Sequence, residues 1–213
     1  MDKYAGQPIV AVGAPLGQAP ATVIMVHGRN AGPANILDLV PHLGRRDLAY
    51  LAPTAAGGTW YPLSFMADIS RNEPYLTSAL QSLETVLAHA EAAGVARSRI
   101  VILGFSQGAC LTSEFAVRHA SRFGGLIIFT GGLIGPPGTE WDHSGDFAGT
   151  PVFFGSGDPD AHVPVTRVLE SAEVFTRMGA DVKTSIYPGR GHWVGDEEVA
   201  IARAMLDRLA SPA

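Results

Sequence analysis

Gly104-Phe105-Ser106-Gln107-Gly108 sets a serine between two glycines, after a β-branched apolar run (Ile100–Phe105) and before a helical pattern from 107 to about 119. G-x-S-x-G in that context suits a sharp strand-to-helix turn, which strains the serine backbone and lifts its hydroxyl clear of a sheet. A hydroxyl held there can attack an electrophilic carbon, and the positive end of the following helix favours the charge that develops. The pattern also occurs by chance, where it is an ordinary serine in a Gly-rich turn, so the flanking elements carry the weight. Cys110, one helical turn further on, reads as a small buried core residue rather than a reactive thiol.

A serine hydroxyl needs a base to take its proton. His192 is the candidate. It sits in Tyr187-Pro188-Gly189-Arg190-Gly191-His192-Trp193, after a late apolar strand and before the last helical pattern. The other six histidines fit the role less well. His42, His89 and His119 fall in helical or helix-end segments, His143 lies in a long polar loop, His162 is close to the candidate acid, and His27 ends an early strand beside a glycine.

The imidazole needs an acid to fix its tautomer and stabilise its charged form. Asp158 comes directly after an apolar strand in Gly155-Ser156-Gly157-Asp158-Pro159-Asp160, which gives the chain order Ser106, Asp158, His192. Asp160 is the second candidate. Two backbone N–H groups, of Gln107 and of Arg29 in the turn His27-Gly28-Arg29-Asn30, are placed to receive an oxyanion. No histidine pair has the spacing of a zinc site, so no metal is expected.

The elements that must position these groups follow from the apolar pattern. Residues 22–27, 48–53, 100–105, 125–130, 151–155 and 182–187 are apolar, β-branched and without polar alternation, as strands covered on both faces are. Residues 8–12 make a weaker strand for a sheet edge. Leu76, Leu80, Leu83, Leu87 and Ala90 share a helix face that Gly94 would end. Val165, Val168, Ala172 and Phe175 mark a helix entered through Pro164 and closed by Gly179, and Val199, Ala202, Met205 and Leu209 mark a last one. Strand and helix in alternation predict an α/β fold, a mostly parallel sheet with helices on both faces. No linker divides the chain, so residues 1–213 read as a single domain.

With 46% hydrophobic and 16% charged residues the chain is not of disordered composition. A net charge of -5 and no basic run longer than Arg45-Arg46 argue against nucleic acid as a partner. One cysteine excludes an internal disulfide and fits a cytoplasmic setting. No apolar run approaches the roughly 20 residues of a membrane helix, so no membrane insertion is expected. A homodimer stays open, although no exposed apolar stripe argues for one.

VIMVHGRNAGP, GFSQGAC, GSGDPDAHVP and PGRGHWV together resemble the phospholipase/carboxylesterase family of α/β hydrolases, which includes small bacterial esterases and is similar to the acyl-protein thioesterases. The resemblance covers most of the chain, from about Val23 to the last helix. It implies an α/β-hydrolase fold without a cap domain, and cofactor-free hydrolysis of small short- to medium-chain acyl esters. It further implies Ser106, Asp158 and His192 as triad, the Arg29 and Gln107 amides as oxyanion donors, and Trp60 and Tyr61 beside the acyl pocket. In one respect the chain departs from many relatives: three residues, Asp160-Ala161-His162, intervene between Asp158-Pro159 and Val163-Pro164. A thioesterase or lysophospholipase would use the same groups. A non-catalytic binding protein is disfavoured because all three triad residue types are present.

Overall fold

The computed structural model describes residues 3, 4 and 6–210. Seven strands form one sheet: β1 (Ile9–Gly13), β2 (Thr22–Val26), β3 (Ala49–Pro53), β4 (Ile100–Phe105), β5 (Gly125–Phe129), β6 (Pro151–Asp158) and β7 (Asp181–Pro188). Their spatial order is β1-β3-β2-β4-β5-β6-β7, with β1 antiparallel to β3 and every other pair parallel. The sheet is therefore mostly parallel, with its one antiparallel strand at the edge expected for residues 8–12.

The central strands are apolar throughout because both faces are covered. Ile24, Val26, Ile102, Ile128 and Phe154 pack on one face against α3 (Tyr75–Ala92), α4 (Gln107–Arg118) and α5 (Val165–Arg177). Val23, Met25, Val101, Leu103, Ile127 and Phe153 pack on the other against α1 (Pro33–Leu37), α2 (Val40–Leu43) and α6 (Asp196–Ala210). Each such side chain contributes roughly 1.5–3 kcal/mol by burial. Edge strand β1 instead exposes Val10 and Val12.

Two differences from the expected elements bear on the site. β6 continues past residue 155 to Asp158, pairing Gly157 with Tyr187 and Asp158 with Pro188. Short helices α1 and α2 also occupy the β2–β3 connection. No cap domain is evident, and no helix of the described residues is long and apolar enough to cross a membrane.

Candidate active site

Ser106 stands between β4 and α4 with φ 55° and ψ -122°, a backbone conformation that costs about 1–3 kcal/mol. Neighbouring strands and the helix hold it there. Its N–H donates to the Phe129 carbonyl at 3.0 Å and its carbonyl accepts from the Cys110 N–H at 3.0 Å. Glycines on either side are required by close approach. A Cβ on Gly104 would lie 2.5 Å from the Gly108 carbonyl oxygen, and one on Gly108 would run into the Val26 and His27 carbonyls. The elbow can thus pack α4 directly on β2 and β4.

His192 Nε2 lies 2.7 Å from Ser106 Oγ, and His192 Nδ1 lies 2.8 Å from Asp160 Oδ2. The acid partner is therefore Asp160, and the expectation of Asp158 is corrected. The reason is the length of β6. Asp158 is still a strand residue, exposed at the strand end, with its carbonyl accepting from the Gly189 N–H at 2.7 Å. Asp160, two residues on, is past the strand, and its side chain is fully buried against the imidazole. Its other oxygen accepts the N–H groups of His162 at 2.7 Å and Val163 at 2.9 Å. Burial alone would raise this carboxyl, but those two N–H groups and His192 outweigh it and hold it below the ordinary carboxylate range. A signal for Asp160 was present in the sequence: counting the acid from Asp160 shortens the distance to Val163-Pro164 by two residues, in the direction of the shorter spacing that the family resemblance implies.

The turn after β2 lies against the serine. A Cβ on Gly28 would be 3.4 Å from Ser106 Cβ and 3.3 Å from the Phe105 ring. Among the described residues, the N–H groups of Arg29 and Gln107 have no hydrogen-bond partner. His27 shapes this turn. Its Nε2 accepts the Ala55 N–H at 3.2 Å, which leaves Nδ1 to donate to the Gly28 carbonyl at 2.8 Å. Burial lowers its pKa and favours that neutral form, against the smaller opposing effect of the Gly28 carbonyl.

Gln107 does more than its backbone suggested. Its side-chain oxygen accepts the Trp60 N–H at 3.0 Å, and its side-chain amide donates to the Tyr61 carbonyl at 2.8 Å. The Gly/Pro-rich loop after β3 is thereby tied to the first residue of α4. Trp60 is fully buried, donates from Nε1 to the His27 carbonyl at 2.8 Å and packs on the His27 ring. It does not line the cleft, so its expected pocket role is corrected: the indole fills the space under the turn. Tyr61, also buried, does line the cleft.

That cleft has a volume of about 480 Å³ and opens over Ser106, with Tyr61, Phe65, Phe105 and Val163 among its apolar walls. Cys110 borders it as a buried thiol pushed up to about 12 by burial, too high to be a thiolate at neutral pH.

A second anchor, unseen in the sequence, holds the His192 loop. Arg190 Nη2 lies 3.0 Å from Glu198 Oε2 in the first turn of α6, and the Glu198 side chain is fully buried. Glu198 also accepts the Gly195 N–H at 2.8 Å. The Arg190 guanidinium stacks 3.5 Å over the Tyr187 ring and 5.3 Å from the Trp193 ring. Arg190 and Trp193 thus bracket His192 on a loop pinned from below. Burial raises the Glu198 carboxyl above its ordinary range despite Gly195 and Arg190.

A model of the phospholipase/carboxylesterase family matches residues 8–210. The chain belongs to that family. Its class of enzyme is the serine esterases of the α/β-hydrolase superfamily. Acyl-protein thioesterase 1 of Saccharomyces cerevisiae is 28% identical, over 94% of this chain and 98% of its own. A probable carboxylesterase of Oryza sativa is 25% identical, over 88% of each. Among solved structures, a phospholipase/carboxylesterase from Dyadobacter fermentans superposes with a TM-score of 0.90 at 42% identity, over 94% of this chain and 96% of that one.

Proposed function

We propose that this member of the family hydrolyses small short- to medium-chain acyl esters through an acyl-enzyme formed on Ser106. The observation that carries the reading is the continuous chain Ser106 Oγ, His192, Asp160, with separations of 2.7 and 2.8 Å. His192 Nε2 takes the hydroxyl proton as Oγ bonds to the ester carbon. The carbonyl electrons move onto oxygen, where the Arg29 and Gln107 amides receive them. Collapse breaks the bond to the alcohol, which leaves with the proton from His192. A water then repeats the sequence on the acyl-enzyme and releases the acid. Asp160 holds the Nδ1–H tautomer and stabilises the imidazolium. The open cleft of about 480 Å³ suits a short acyl group. A cytoplasmic setting fits a chain whose single cysteine is a buried free thiol.

The test is covalent labelling with a fluorophosphonate probe alongside turnover of p-nitrophenyl butyrate. Ser106→Ala should lose both, with kcat down roughly 10⁴-fold or more and the circular dichroism spectrum unchanged. EDTA should leave wild-type turnover unaffected. Near-normal kcat in a folded Ser106→Ala protein would refute the nucleophile. The name of the yeast relative makes thioester hydrolysis the second reading, and a butyryl thioester run in parallel with the oxygen ester ranks the two.

A further inference from the structure

The lining of the cleft over Ser106 carries charge of the opposite sign to the chain as a whole. The protein carries 20 acidic against 15 basic residues. Yet no Asp or Glu is among the residues lining the cleft, and Arg29 is the one permanent charge there. Asp160 is close by, but its carboxylate is turned away, fully buried on His192 and two backbone N–H groups.

Arg29 is held in place without being neutralised. Its Nη1 and Nη2 donate to the Pro62 and Leu63 carbonyls at 2.8 and 2.5 Å, which fixes the guanidinium on the cleft wall formed by those residues. Among the described residues it has no carboxylate partner. The guanidinium lies 5.9 Å from the centre of the Tyr61 ring, and its positive charge acts on the buried Tyr61 phenol. Tyr61 Oη is itself buried beside the Cys110 thiol.

Two further features supply hydrogen-bond donors. The positive end of α4 opens at Gln107 beside the serine, with the Arg29 and Gln107 N–H groups unpaired. On the far side, the exposed His162 ring stands edge-on to His192 at 4.7 Å and adds a donor to the rim. An anchored guanidinium keeps unused N–H groups, is always charged and loses little further side-chain freedom when it binds a planar anion.

We propose that the cleft selects esters carrying a carboxylate a few bonds from the scissile carbonyl, and that the Arg29 side chain is the specificity-determining group. This deepens the esterase reading and rests on it. The hydrolysis is the one written above. The anion makes no bond and takes no proton; it positions the ester for Ser106.

Two matched pairs test the proposal by titrating released acid. Monoethyl succinate against ethyl pentanoate places the charge on the acyl side, and 4-acetoxybenzoate against its methyl ester places it on the alcohol side. Wild-type enzyme at low salt should favour the anionic member of at least one pair by about tenfold in kcat/KM, the scale of one charge-assisted hydrogen bond. The preferred pair tells which side of the ester faces Arg29. About 0.5 M NaCl should shrink that preference while leaving the neutral ester unaffected. Arg29→Gln should bring the ratio close to one and Arg29→Lys should keep most of it. Because Arg29 also holds the loop at Pro62, the ratio within a pair isolates the charge from any general loss of rate. Turnover with equal or better rates for both neutral esters overturns the proposal and leaves the esterase reading intact. An anionic preference that survives both salt and Arg29→Gln overturns the role of Arg29. If no ester is turned over and the fluorophosphonate does not label Ser106, both readings fall together.

Discussion

On the side of the cleft built from β2 and β4, the groups proposed to react are positioned chiefly by backbone packed on backbone. Ser106, the Gln107 amide and the Gly28-Arg29 turn stand where Gly104 and Gly108 let α4 meet the two strand ends backbone to backbone. On the side built from the connections after β6 and β7, the groups are positioned by side chains. Asp160 caps its own loop through two N–H groups, and His192 rides on a loop pinned by the Arg190–Glu198 pair. The first kind of support is rigid and tolerates no added volume. The second depends on charge and can be weakened by degrees. Predictions that change volume on one side and charge on the other separate the two.

The largest effect is expected on the charged side. Asp160→Asn keeps the shape of the loop but no longer fixes the working tautomer of His192, so kcat should fall about 10³-fold or more. Asp158→Asn should change kcat less than about threefold, because that carboxylate lies exposed at the end of β6. Steady-state kinetics on the two variants decide the matter, and the reverse ranking would return the acid role to Asp158.

The Arg190–Glu198 pair comes next. Glu198→Ala strands a mostly buried guanidinium under the His192 loop and should cost about 3 kcal/mol in chemical denaturation, with a fall in kcat as the loop loosens. Glu198→Gln keeps the volume and an acceptor for the Gly195 N–H while removing a charge that burial disfavours, so it should be the milder of the two. Equal losses for Ala and Gln would mean that the ion pair, not the filled volume and hydrogen bond, anchors the loop.

On the other side a single methyl suffices. Gly108→Ala drives a Cβ into the Val26 and His27 carbonyls. It should cost about 2 kcal/mol, since overpacking a rigid contact typically costs 1–3, and should reduce turnover as the elbow shifts relative to the Arg29 amide. Stability lost with full activity retained would show that the elbow moves as a unit with its turn.

The same contrast explains what could be read from the sequence. The central strands and the elbow are legible because their constraints are local: apolar runs covered on both faces, and glycines on either side of one serine. The two short helices in the β2–β3 connection, of five and four residues, are too short to show a helical period. Asp160 reads as the second candidate because the end of β6 cannot be told from composition: Ser156-Gly157-Asp158 looks like a turn, yet pairs with β7. Glu198 has no sequence signal that sets it apart, and only the fold shows it buried and paired with Arg190 eight residues back. Trp60 misled for the opposite reason. The family resemblance implies a place beside the acyl pocket, but this indole is spent filling the space between His27 and Tyr4.

The smallest effect concerns protons at Asp160. Burial pushes its carboxyl up, but the His162 and Val163 N–H groups and His192 push it further down, so the folded value lies below the unfolded one. A carboxyl shifted in that direction contributes stability that is fully present above the unfolded value of about 3.9 and is lost as the pH falls through the folded value. The stability difference between wild type and Asp160→Asn should therefore persist down to about pH 5 and shrink below about pH 4, as the wild-type carboxylate takes up its proton. Urea denaturation of both proteins between about pH 3 and 7 measures it. The rate profile gives an independent reading. Because Asp160 stays ionised through the mildly acidic range, the acid limb of kcat/KM should have the slope of one proton, lost to His192, with no second break above about pH 4. A second break near pH 5, or a stability difference that already narrows there, would mean that burial wins over the two loop N–H groups, and the charged side of the cleft would then be far less secure than its hydrogen bonds imply.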